Sequence, residues 1–90
     1  MTDPINAVAQ EANLARLKFG DFTSTHEAMG VLSEEWDELR AAIHANSIQA
    51  TSREAKQVAA VAFRLFSMCE RALADDPDVD AMHFKTRSGA

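Results

Sequence analysis

Cysteine, proline, glycine and tyrosine are scarce in this chain of 90 residues, which holds one Cys, two Pro, three Gly and no Tyr. A single thiol cannot close an internal disulfide, and the place of Cys69 on an apolar helical stripe predicts a buried thiol in a reducing, cytoplasmic setting. So few Pro and Gly leave little to interrupt helices. No run approaches the roughly 18 continuous apolar residues of a membrane span, and the amino terminus lacks the basic-then-apolar order of an export signal. Basic residues are the minority, nine Lys and Arg against fourteen Asp and Glu. The resulting charge of −5 repels a phosphate backbone, so neither nucleic acid nor membrane is an expected partner. No Cys–His spacing for zinc and no motif around a nucleophilic Ser or Cys is present.

What is there is helical. Asp3-Pro4 is a start signal, because the carboxylate can accept an orphan N–H while Pro fits the first turn; Gly20 supplies a stop. Ser24-x-x-Glu27 has the form of a capping box, and so does Thr51-x-x-Glu54, with Asn46 to Ala50 as a polar link between the helices they open. The prediction is an all-α fold, three main helices at about 4–19, 24–45 and 52–74 in an antiparallel bundle, followed by an irregular or one-turn tail. Residues 1–85 would form one domain and 86–90 a disordered end. A chain this short buries a modest share of its surface, so completion as a homodimer or tetramer is expected. Phe63, opposite the apolar stripe of the third helix, is a candidate for such an interface. Gly30, inside the second helix, marks either a close contact or mere tolerance.

The informative stretch is Ser33-Glu34-Glu35-Trp36-Asp37-Glu38-Leu39. At about 3.6 residues per turn, Ala28, Val31, Leu32, Leu39, Ala42 and Ile43 make one stripe, and Glu35 falls inside it. Glu38 lies one turn further on the same flank, so both carboxylates project from the edge of a buried face. An ionised pair there requires a partner or a raised pKa. On the third helix Glu54 lies within the stripe, with Gln57, Arg64 and Arg71 along its flank, facing Glu38, Glu34 and Glu27 across an antiparallel seam. Glu38 and Gln57 match in height near the link, as do Glu34 with Arg64 and Glu27 with Arg71. Three carboxylates and an amide suit a hard cation such as Mg²⁺, with Mn²⁺ as a substitute. Other roles stay open. Glu54 also fits as the third residue of a capping box, Arg64 and Arg71 as plain partners of Glu34 and Glu27, and Trp36 as a packing anchor rather than a base-stacking platform. His26 and His44 read as surface residues.

Glu34-Glu35-x-x-Glu38, fifteen intervening residues and then Glu54-x-x-Gln57 resemble the paired-helix motif of the all-alpha nucleoside triphosphate pyrophosphatase superfamily, the MazG-like group. The resemblance extends over roughly Thr25 to Arg64, and the run from Gln57 to Ala62 looks like small phage-type members. It implies that Glu35, Glu38 and Glu54, with Gln57, bind Mg²⁺, and that Glu35 and Glu38 serve catalysis. It further implies that Arg64 and Trp36 contact a nucleoside triphosphate, cut to a monophosphate and pyrophosphate by metal-activated water at the α-phosphorus. Two departures stand out: Gln57 replaces the family's usual Asp, and the chain is short after the third helix. They leave a rival of another class, a non-catalytic helical interaction module with a degenerate site.

Overall fold

The computed structural model describes residues 3–79, and among them the chain is helical: α1 spans Pro4–Phe19, α2 Thr25–His44 and α3 Ile48–Asp75. The expected one-turn tail near 79–84 and disordered end at 86–90 lie, apart from Val79, outside the described residues. Each helix begins on a side-chain cap. The Ile5 N–H donates to Asp3 Oδ1 at 3.0 Å, with Pro4 in the first turn. The Glu27 N–H donates to Ser24 Oγ at 3.0 Å while Glu27 Oε1 accepts from the Thr23 N–H at 2.9 Å, so the anticipated capping box is met with its return donor one residue before the N-cap. Gly20 closes α1 with φ 78°, a conformation open to residues without a Cβ, and its N–H donates to Arg16 O.

The third helix starts four residues before the expected Ser52, and the reason is local. Asn46 takes φ 57°, one of the few side chains that tolerate it, and so ends α2 at once. Ser47 then sits extended, and its Oγ accepts from the Ala50 N–H at 3.1 Å. By Thr51 the helix is already running, since the Thr51 N–H donates to Ser47 O. Thr51-x-x-Glu54 is therefore not a capping box, and Glu54 is an interior helical residue whose carboxylate caps nothing.

With 28 residues, α3 is the long central element, and both other helices pack on it while α1 and α2 do not pack on each other. Glu11 stands beside Gln57, Gly20 beside Arg64 and Asp21 beside Arg71, so α1 runs in the same direction as α3, with α2 antiparallel to both. The α2–α3 seam is the apolar one: Phe22, Ala28, Val61 and Met68 form its centre, flanked by Val31, Leu32 and Leu65. On α1 the buried residue is Ala12. The α1–α3 seam is fastened by polar groups instead, among them Arg64, whose Nη2 donates to Gly20 O at 2.9 Å while its guanidinium lies over the Phe22 ring. Arg64 is only 9% exposed, so this charge closes the link after α1. Cys69 is half-buried, less enclosed than expected. Ile5, Leu14, Leu17 and Phe19 of α1 stay exposed, as do Phe63 and Phe66 of α3.

Gly30 meets nothing within 4 Å of the position a Cβ would take, which removes the close-contact reading and leaves tolerance. Gly30→Ala is expected to stabilise the fold by up to about 1 kcal/mol. Ser47→Ala should cost about 1 kcal/mol, whereas Thr51→Ala should be within about 0.5 kcal/mol of neutral. Urea unfolding of the three variants checks these values, and a larger loss at Thr51 than at Ser47 would place the helix start where the sequence alone suggested it.

Candidate metal centre

Glu38 stands seven residues before Ala45 and Glu54 seven after Ser47, so the two lie at equal heights on either side of the α2–α3 link. Glu35 is three residues, just under one turn, further from the link on α2, on the flank where the sequence put it. The structure brings these three together: one carboxylate oxygen from each of Glu35, Glu38 and Glu54 lies within 4.8 Å of the others. Glu35 and Glu54 are half-buried and Glu38 is exposed, giving a site closed toward the seam and open on one side.

Charge is the dominant feature. Burial holds the Glu35 carboxyl above its ordinary value of 4.5, and repulsion from Glu38, Glu54, Glu34 and Glu11 adds to the effect. Glu38 is raised as well, first by a hydrogen bond shared with Glu54, which needs a proton between the two carboxyl groups, and then by repulsion from Glu54. Glu35 Oε2 is buried and has no hydrogen-bond partner among the described residues. A buried carboxylate oxygen left without a donor is costly. Acidic oxygens from two facing helices, one of them orphaned, match the donor chemistry of a hard divalent cation.

Gln57 is the other expected ligand, through its amide oxygen. Gln57 Nε2 donates to Glu11 Oε1 at 2.9 Å, so this end of the side chain is committed to α1. The same Glu11 oxygen faces Lys56 Nζ at 3.6 Å. Glu11 is the residue that a reading of two helices misses. It is the lone acid of α1, three residues after Val8 on the side that meets α3, and its charge reaches Glu35. Trp36 is 50% exposed and so does not anchor the core. Arg64 is ten residues, roughly 15 Å, along α3 from Glu54, and its guanidinium meets Gly20 O and the Phe22 ring. The height-matched ion pairs are corrected too: Arg71 faces Asp21 at 3.7 Å, and Glu27 is engaged in its cap.

No protein-family model, no curated protein and no solved structure matches the chain. The site is therefore defined by its own geometry.

That geometry fixes a pH dependence for the metal-free protein. Folded-state carboxyl groups with raised pKa values bind protons more tightly than in the unfolded chain. Their contribution to stability is full below about 4.5 and is lost as pH rises through the elevated values. In a chelator, Tm should therefore gain a component as pH falls from neutral toward the ordinary carboxyl value of 4.5 that Glu35→Gln flattens, while the same variant raises Tm at pH 7. Parallel Tm–pH curves for parent and variant would dismiss the coupling.

Proposed function

We propose that Glu35, Glu38 and Glu54 hold Mg²⁺, or Mn²⁺ in its place, and that the chain is a nucleoside triphosphate pyrophosphohydrolase converting an NTP or dNTP to its monophosphate and pyrophosphate. One observation carries this reading: Glu35, which has a buried oxygen without a partner among the described residues, is one of three carboxylates gathered from both sides of a helical seam. The motif resemblance over the same residues supports it. Bound there, the cation supplies charge neutralisation for phosphate oxygens and acidifies a water. Glu35 and Glu54 fix the position from facing helices. Glu38, on the open side, is the carboxylate placed to take the proton of the water that joins the α-phosphorus as pyrophosphate leaves. Trp36 keeps a half-exposed ring for a base, whereas Arg64 is buried and donates to Gly20 O. The exposed apolar residues of α1 and α3 support assembly as a homodimer or tetramer, which would wall the open side of the groove.

A second reading, a non-catalytic interaction module of the same fold, is favoured by Gln57, whose amide ties α3 to α1 through Glu11. Metal and activity measurements divide the two. A cation that binds only the native state at a hundred times its Kd stabilises it by about 2.7 kcal/mol, so millimolar Mg²⁺ or Mn²⁺ should raise Tm by several degrees. Glu35→Gln and Glu38→Gln should abolish that rise together with pyrophosphate release from triphosphates. Unchanged Tm with either metal, with and without nucleotide, sinks the hydrolase. Activity that appears only in Gln57→Asp would identify the natural chain as the non-catalytic form.

A further inference from the structure

Away from the acids, α1, the link after it and α3 enclose a cavity of about 280 Å³. Ala12, Met68 and Arg64 line it and are themselves buried, so they form its floor. Phe63 lines it and is 44% exposed, which places an aromatic face toward the mouth. This accounts for an aromatic standing opposite the apolar stripe of α3. The polar part of the wall includes Arg16 from α1 and Arg71 from α3.

Those two guanidinium groups have most of their hydrogen-bonding capacity unspent. Each carries five N–H donors. Among the described residues Arg16 has one long contact, Nη2 to Asn13 Oδ1 at 3.5 Å, and Arg71 one, to Asp21 Oδ1 at 3.7 Å. Both exceed the 2.7–3.2 Å of an ordinary N–H···O bond. With Arg64 beneath, three of the seven Lys and Arg between residues 3 and 79 border one cavity in a chain of net charge −5. Asp21 is the lone carboxylate on its wall, half-exposed and loosely held. It stands where an incoming anion would displace it.

We propose that this cavity binds a small organic phosphate, its monoester group gripped by Arg16 and Arg71 and its apolar body resting on Phe63 and Met68. Paired guanidinium forks from two helices match the three oxygens and near-dianionic charge of a phosphomonoester better than the two oxygens of a carboxylate. Ser67 lines the same wall and offers a hydroxyl to a further oxygen. The volume lies at the lower edge of small-molecule sites, roughly 300–1,000 Å³, which sets the ligand near the size of a single ring bearing its phosphate. The site is independent of the cation centre. Phe63 and Arg71 come nine and seventeen residues after Glu54, roughly 14 and 26 Å along the helix axis.

The test is an amide NMR titration of the ¹⁵N-labelled full chain in chelator, with phenyl phosphate, benzoate, benzyl alcohol and inorganic phosphate as separate probes. Phenyl phosphate should give saturable shifts centred on Ala12, Asn13, Ser67 and Met68, and should bind more tightly than each of the other three. The double variant Arg16→Gln/Arg71→Gln replaces exposed side chains and should keep a folded spectrum while weakening phenyl phosphate at least about tenfold. Ser67→Leu, which fills the cavity, should weaken it too. Absence of saturable shifts, equal binding by the arginine double variant, or benzoate, benzyl alcohol or inorganic phosphate binding as well as phenyl phosphate would each overturn the proposal.

Discussion

Among the described residues, every contact between helices includes α3. Two helices that do not touch each other must both be satisfied by one rod, and that constraint divides its surface. One face carries Val61, Leu65 and Met68 and meets Val31, Leu32 and Ala28 in an ordinary apolar seam. The other face meets α1, which offers a single buried alanine, and the fastening there falls to Gln57 with Glu11 and Arg64 with Gly20. No large side chain in the described residues is fully enclosed. The fold therefore depends on few apolar contacts, and polar groups at the edges of its seams have a large influence on its stability.

The fold was legible in the sequence because its punctuation is strong: Asp3-Pro4, Gly20 and Ser24-x-x-Glu27 mark ends that the structure uses. Where two start signals lay four residues apart, the sequence pointed to the wrong one. Ser47 wins over Thr51 because Asn46 terminates α2 in a left-handed turn and delivers the chain to Ser47 already extended, a backbone fact that side-chain pattern does not encode. The meeting of Glu35, Glu38 and Glu54 was legible as well, since helical spacing and distance from the link suffice to predict it. What eluded the sequence were partners drawn from a third helix. Glu11 is unremarkable on its own helix, and its relation to Gln57 and Glu35 depends on a register between α1 and α3 that periodicity does not set. Arg64 reads as a flank residue, yet its carbons line the seam and its head reaches a backbone carbonyl beyond it.

The two halves of the seam system are chemically opposed. Near the α2–α3 link, carboxylates accumulate and resist ionisation, so the fold carries a self-repulsive cluster at neutral pH. Perturbed acids of this kind, partly buried and converging, are where chemistry concentrates in proteins. Further along the same rod the charge reverses to guanidinium groups around an apolar floor. A chain whose net charge is acidic thus keeps its sparse positive charge where it can act locally rather than as a general field.

The polar fastening of α1 has a mechanical corollary. Glu11 and Arg16 are one and a half turns apart on the same helix, the first among the acids' neighbours and the second on the cavity wall. A segment held by so little apolar area belongs to the low-energy end of local unfolding. Any displacement of α1 from α3 would withdraw the Glu11 charge from one locus and take Arg16 from the wall of the other.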